Sequence, residues 1–242
     1  MSQLVMEAKD VTKVLGAGAG QVQALKGVNL ALRGGELTLL MGPSGSGKTT
    51  LLSILGCMLS PTQGTVRVRG ESIEGKGSEE LAKLRRDHVG FVFQSYHLFP
   101  TLTAADNVRL ALDVRGEGGN PARNRTREAL AKVGLSQKVS SYPRELSGGE
   151  QQRVAIARAV VGSPSVVLAD EPTAALDGEN GKAIMTILAN IAKAPDRGVL
   201  VVTHDPRLVA FADRIIYIED GNIVREQTRD GSEETQDLLG EA

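Results

Sequence analysis

Gly42-Pro43-Ser44-Gly45-Ser46-Gly47-Lys48-Thr49 is the stretch that decides how this chain folds. It meets the pattern G-x-x-x-x-G-K-[ST] at every fixed position. Glu36 to Met41, before it, reads as a short strand. Thr49 to Leu59, after it, reads as a helix stopped by Pro61. A glycine-rich loop in that setting is an anion cradle. The glycines let the backbone curl until successive N–H groups point inward. The helix start adds the positive end of its dipole. Lys48 supplies a point charge between β- and γ-phosphates, and the Thr49 hydroxyl is suited to Mg²⁺. Gly42 to Thr49, with Thr50 beside them, are the expected contacts to ATP and Mg²⁺. A Gly/Ser turn with an accidental lysine is the plainer reading, and the flanking strand and helix argue against it.

Outward from the loop, the chain alternates between strand and helix patterns. Leu4, Met6 and Ala8 alternate with polar neighbours, and Val22 to Leu32 does the same. Thr65 to Arg69 is a further strand. Ser78 to Asp87 reads as a helix with Ser78 as its N-cap and acidic Glu79 and Glu80 in its first turn. His88 to Phe93 reads as a strand. Helices are expected at Thr103 to Val114, Pro121 to Val133 and Glu150 to Val161. From Ser165 strands and helices alternate again, with strands at Val166 to Ala169 and Val199 to Val202 and a helix at Gly178 to Lys193. A short helix follows at Pro206 to Ala212. Arg214 to Ile218 and Asn222 to Arg225 flank a Glu219-Asp220-Gly221 turn and form a hairpin. The expected fold is α/β: a parallel-sheet lobe, an N-terminal antiparallel β subdomain and an inserted helical subdomain. The expected division is a core of residues 1–78 and 164–226, an insertion of 79–163, and a polar tail of 227–242, all in one domain.

Composition narrows the functions available. The net charge of −1 draws the chain to neither nucleic acid nor anionic lipid. Aromatic residues make up 3% with no Trp, too few for a base-stacking platform. The single Cys57 forms no intrachain disulfide and reads as a small buried hydrophobe in the helical run Leu51 to Leu59, in keeping with a reducing compartment. Met1 to Asp10 lacks the pattern of a secretory signal. No apolar run approaches the roughly 18 residues of a membrane span. Any work at a membrane is expected to go through a partner.

Two more segments carry chemistry. Val166-Val167-Leu168-Ala169 is an apolar strand running into Asp170 and Glu171. Placed beside the loop strand, it would bring Asp170 to the Mg²⁺ shell and Glu171 to a water aimed at the γ-phosphate. Two solvated acids at a strand end is the plainer alternative. Leu146-Ser147-Gly148-Gly149-Glu150-Gln151-Gln152-Arg153 opens a helix with bare N–H groups, a second anion site.

Together the three segments resemble the phosphate loop, acidic strand and signature of ATP-binding cassette proteins, in that family's order and over nearly the whole chain. The resemblance implies further roles. Gln94 is similar to the family's glutamine that touches Mg²⁺ and the attacking water. Asp177, in Ala174-Ala175-Leu176-Asp177, is similar to the loop crossing the dimer interface. His204 is similar to the switch histidine at the γ-phosphate, while Asp205 and Pro206 read as N-cap and first helical residue. The resemblance implies an ATPase in which two copies face head to tail. Each nucleotide then lies between one copy's phosphate loop and Ser147, Gly148, Gly149 and Glu150 of the other. Leu15 stands where the family places an adenine-stacking aromatic, and Glu150 where glutamine is commoner.

Ile54 to Met58, Gly90 to Gln94 and Leu102 to Val108 resemble the lipoprotein-release and macrolide-export branch. That implies a subunit at the cytoplasmic face of a membrane, held there by a separate permease and driving it. A regulator of a membrane complex, similar to the cell-division cassette, is the alternative. Tyr96, His97, Leu98 and Phe99 read either as a docking groove for the permease or as core.

Overall fold

The computed structural model describes residues 3–229 and 233–234. Two sheets share the chain. β1 (Leu4–Leu15), β2 (Val22–Arg33), β4 (Gln63–Val68) and β5 (Glu71–Ser72) form an antiparallel sheet in the order β2-β1-β4-β5. The larger sheet takes β3 (Leu37–Met41), β6 (Val89–Val92), β7 (Val166–Asp170), β8 (Gly198–Thr203), β9 (Arg214–Glu219), β10 (Asn222–Thr228) and β11 (Glu233–Glu234). Its order is β11-β10-β9-β3-β8-β7-β6. The five strands from β9 to β6 run parallel, β10 pairs antiparallel with β9, and β11 pairs antiparallel with β10.

A parallel sheet needs both faces covered, so its strands are apolar throughout. Alternate residues divide between two cores. Leu39, Val167, Val201 and Ile215 face one core, shared with α5 (Gly148–Val160) and α6 (Gly178–Ala192). Leu40, Leu168, Leu200 and Ile216 face the other, shared with α1 (Lys48–Leu55) and the antiparallel sheet. Among the remaining helices, α2 is Ser78–His88, α3 Ala104–Asp113 and α4 Gly119–Lys132. The stretch 79–163, expected as a helical insertion, also supplies β6 to the large sheet.

Some expected elements shift. α1 stops at Leu55, not Leu59: Gly56 follows, Cys57 turns left-handed at φ 54°, and the Met58 N–H reaches back to Ser53 O at 2.9 Å. Cys57 therefore lies beyond the helix. It is buried as expected, and burial pushes its thiol up to about 11. Its carbonyl accepts from the Arg85 guanidinium at 2.7 Å, a cation at the helix C-terminus. Gly77 is the N-cap of α2 instead of Ser78, because Glu80 turns back to accept the Gly77 N–H. His88 ends that helix and β6 begins one residue later. β10 runs on to Thr228, and 230–232 and 235–242 of the expected tail lie outside the described residues.

The two sheets are joined by one buried guanidinium. Arg214 on β9 donates to Glu36 at 2.6 Å, to Glu226 on β10 at 2.7 Å and to the Ala31 carbonyl of β2. Replacing one member of a buried ion network leaves the others unpaired, at about 3 kcal/mol. Arg214→Leu is expected to lower the melting temperature by on the order of 10 °C. Thermal unfolding followed by circular dichroism measures it; an unchanged melt would mean that this staple adds nothing.

Candidate functional site

The parallel strands β3, β7 and β8 release their chains at one edge of the sheet, and the candidate site residues that follow them sit there. A cleft of about 910 Å³ opens at this edge. Pro43, Ser44, Gly45, Gly47, Lys48, Thr49 and Thr50 line it from the phosphate loop, and Asp170, Glu171 and His204 from the strand ends. Gly42 and Ser46 complete the loop behind this lining.

Glycine is required where the loop passes other backbone. A Cβ on Gly42 would lie 2.1 Å from the Ile218 carbonyl oxygen. One on Gly47 would lie 2.6 Å from that of Ala24, at a φ of 100°. The hairpin turn holds the loop from beneath: Gly221 N–H donates to Ser46 O at 3.1 Å, and Lys26 N–H to Gly221 O at 2.9 Å. Asp220 and Gly221 line the cleft for this reason, with Val22, Gln23, Ala24 and Lys26 of β2. None of these six was expected from the sequence. Their signal is long-range pairing, which no local pattern contains.

Lys48 opens α1 with its ammonium drawn back on the loop, donating to Gly42 O at 2.7 Å and Pro43 O at 2.6 Å. Burial holds its pKa below the usual lysine range, against the pull of Glu171 and Asp170. The Asp170 carboxyl is held above its usual range, by burial first and by Glu171 second, while Lys48 opposes the shift. Asp170 does not come from the strand beside β3. β8 lies between, so β7 is one strand further out than expected, and the carboxylate still reaches the cleft.

Glu171 sits in the left-handed region at φ 44°, its N–H bound to Val202 O at 3.0 Å. That turn aims its side chain along the sheet edge toward the end of β8. There Glu171 Oε1 and His204 Nδ1 lie 2.7 Å apart. A carboxylate only accepts, so Nδ1 carries the proton and donates it to Oε1. In the neutral ring Nε2 is then free as an acceptor. Asp205 and Pro206 take the expected places at the start of a short 3-10 helix. Leu15, from the end of β1, and Val22 close the far end of the cleft with aliphatic surface.

Besides Gly42 and Ser46, six expected residues stand outside the cleft lining. Gln94 is exposed after β6, at the outer side of β7. Ser147 is the N-cap of α5, and Gly148 and Gly149 form its first turn. Asp177 caps α6, accepting the Asn180 N–H at 2.9 Å. A Cβ on Gly149 would meet Asn180 Oδ1 at 2.7 Å, so α5 and α6 begin side by side. Glu150, the sixth, turns back to accept the Ser147 N–H at 2.8 Å and is held below the usual carboxylate range mainly by that bond. Its charge thus closes a capping box.

Residues 25–174 match the ABC transporter family. The chain belongs to the ABC transporter family. It is 46% identical over 223 residues to the macrolide export ATP-binding/permease protein MacB of Shigella flexneri, covering 91% of this chain and 34% of MacB. The chain thus spans about a third of the length of that relative. Over 227 residues it is 44% identical to the ABC transporter ATP-binding protein MJ0796 of Methanocaldococcus jannaschii, covering 92% of this chain and 97% of the relative. A dimeric, post-hydrolysis structure of the MJ0796 cassette bound to ADP and Pi superposes with a TM-score of 0.85 at 43% identity, over 94% of this chain and all of that one. The cassette cbiO1 from Clostridium perfringens superposes with a TM-score of 0.82 at 27% identity, over 92% and 88% of the two chains. This chain is accordingly an ABC ATPase domain.

Lys48→Ala removes the ammonium that the loop would present to phosphate. Hydrogen bonds to charged groups contribute about 1.5–3 kcal/mol, so ATP affinity is expected to fall by roughly 10- to 100-fold. Titration with a fluorescent ATP analogue measures this, and unchanged affinity would remove Lys48 from the site.

Proposed function

We propose that this chain works as one half of a head-to-tail pair that binds ATP at its interface and drives a membrane permease of the export or lipoprotein-release type. One observation carries the reading. Lys48, Asp170, Glu171 and His204 line the cleft, while Ser147, Gly148, Gly149 and Asp177 stand outside its lining on two neighbouring helix starts. Within one chain these halves do not meet. Two copies facing in opposite directions bring each helix start over the other's cleft, where its bare N–H groups cover the exposed side of the γ-phosphate. The MJ0796 structure, a dimer bound to ADP and Pi, supports the arrangement.

Within each composite site, Lys48 and the loop N–H groups hold the phosphates. Thr49 and Asp170 would hold Mg²⁺, which neutralises phosphate charge when bound. Asp170 fits that role: it is half-buried beside a second carboxylate, and a cation relieves both penalties. Among the described residues no cluster of three His, Cys, Asp or Glu could hold a metal unaided. The cation therefore depends on the phosphates, as Mg²⁺ usually does. Glu171 orients the attacking water and accepts its proton, with His204 fixing the carboxylate through Nδ1–H and, when its ring carries both protons, donating Nε2–H to the γ-phosphate. Gln94 joins from the lobe of residues 79–163 as the pair closes. Leu15 and Val22 pack on the base, so the base is recognised by shape more than by an aromatic contact.

The permease reading rests on the relatives and on one surface. MacB is named both ATP-binding and permease protein, and the chain matches about a third of it. Among the described residues no helix is long and apolar enough to cross a membrane. Phe99 is 55% exposed. Asn107, fully buried, holds it there by bonding its N–H at 2.8 Å and the carbonyls of Phe99, Leu102 and Thr103 at 3.0–3.1 Å. Leu98 packs on the core and Tyr96 against Gly148, so part of this segment is core. We infer that this exposed aromatic is the docking point for a cytoplasmic helix of the permease, which would hold the pair at the inner membrane face.

Glu171→Gln keeps the shape and removes the base. Size-exclusion chromatography with ATP and Mg²⁺ is expected to show a stable dimer of this variant, with turnover reduced at least about 100-fold. A variant that stays monomeric at saturating ATP would argue against the paired site, and wild-type turnover would remove Glu171 from catalysis.

A further inference from the structure

Gln152 is fully buried yet lies outside the cleft lining. It sits on α5, five residues after Ser147. Its Nε2 donates to Pro172 O at 2.8 Å and, over a longer 3.5 Å, faces Phe93 O. Both partners are carbonyls, so chemistry fixes the amide's orientation: a flipped amide would set Oε1 against two acceptors. Oε1 itself has no partner among the described residues. An unpaired buried acceptor destabilises the fold, and an aliphatic side chain of equal length would avoid that penalty. The position therefore carries an amide for its donor.

The two carbonyls are not arbitrary ones. Phe93 immediately precedes Gln94, and Pro172 immediately follows Glu171. One amide thus touches the backbone at both hydrolytic segments from the helix that begins at Ser147. Other residues strengthen the link on the Gln94 side. Arg158, further along α5, donates to Tyr96 O at 2.7 Å and His97 O at 2.5 Å. Tyr96 and His97 are both left-handed, at φ 61° and 47°, which turns their carbonyls toward α5. The Tyr96 hydroxyl lies against Gly148, 2.9 Å from where a Cβ would stand. The segment after β6 is gripped by α5 at its start, middle and end. On the Glu171 side, Gln152 is the side chain of α5 that reaches the backbone.

We propose that Gln152 is a positioning residue for hydrolysis, coupling the Ser147 end of α5 to the backbone that carries Gln94 and Glu171. The inference rests on the paired site proposed above, in which Ser147 contacts the nucleotide of the other copy. When Ser147 closes on that phosphate, a shift of α5 pulls on Phe93 O and Pro172 O in the same motion. Glu171 then reaches its working position only with a partner engaged. ATP binding itself does not pass through Gln152, since Lys48 and the phosphate loop stand on β3 and α1.

Gln152→Met keeps the length and removes the donor. In the full chain, its affinity for ATP is expected to stay within about twofold of the unsubstituted protein, while kcat falls at least tenfold and KM changes less than threefold. Combined with Glu171→Gln, it is expected still to form the ATP-dependent dimer. Wild-type kcat would overturn the proposal, as would an equal loss of kcat and ATP affinity, which marks a general packing defect. If Gln152→Met does not fold, Gln152→Glu is judged by the same split, and joint loss in both variants overturns the proposal. Failure of Glu171→Gln alone to dimerise would instead count against the paired site. The kcat-to-affinity split of Gln152→Met still decides whether Gln152 positions Glu171 within one chain.

Discussion

The molecule depends on how closely the phosphate loop can lie against the rest of the chain. Gly42 passes the Ile218 carbonyl and Gly47 passes the Ala24 carbonyl at distances that admit no side chain. These two contacts bind the loop to β9 and to β2, one strand from each sheet. The turn at Gly221 adds a hydrogen bond to each side. The loop is thus a backbone arch supported at both ends, and its N–H groups are free to face inward because its outer surface is already in contact. Arg214 fastens the same two sheets further along β9. Without that support, the curled loop would have to hold its left-handed glycines unaided against their conformational entropy.

From that arch the electrostatics of the cleft follow. Lys48 is buried because the loop folds over it, and it stays bonded to loop carbonyls. Asp170 and Glu171 stand near each other on the opposite wall, where burial and mutual repulsion disfavour charge on Asp170. Each wall carries a charge that it cannot fully satisfy. A Mg²⁺-bound triphosphate, as proposed above, would satisfy both, with anionic oxygens for Lys48 and a cation for Asp170. The cleft is arranged for a ligand that carries both signs.

What was legible in the sequence was whatever a single segment contains. The phosphate loop, the apolar strand before Asp170 and the capped helix at Ser147 each declare themselves by spacing and residue type. The alternation of Leu39 and Leu40 between two cores also follows from the two-residue strand period. What escaped depends on partners far along the chain. β8 inserts between β3 and β7, an order that no pattern within β3 or β7 contains. α1 ends at Leu55 because Arg85, some 30 residues on, meets the Cys57 carbonyl and Gly56 permits the turn. Asp220 and Gly221 read as an ordinary hairpin turn until β2 is seen beside them. Gln152 lay in plain view within the signature segment, but only its burial and its two carbonyl partners distinguish it from Gln151.

The division of labour between the two ends of α5 has a physical basis. A helix start offers N–H groups that a side chain, water or ligand must satisfy. Ser147 and Glu150 satisfy two of them reciprocally, and Gly148 and Gly149 leave no side chain in front of the rest. Deeper along the helix every polar group except Gln152 Oε1 and Arg153 Nε among the described residues of α5 is exposed or bonded. The helix is therefore open at its exposed end and closed where it meets the strand ends. A rigid element with an open end and a bonded middle transmits displacement, since a packed interior shifts as a body and does not deform. In the paired site proposed above, hydrolysis that waits for two copies to meet would require such an element between the surface facing the partner and Glu171. In this fold α5 spans those two places, and its one buried amide touches both hydrolytic segments.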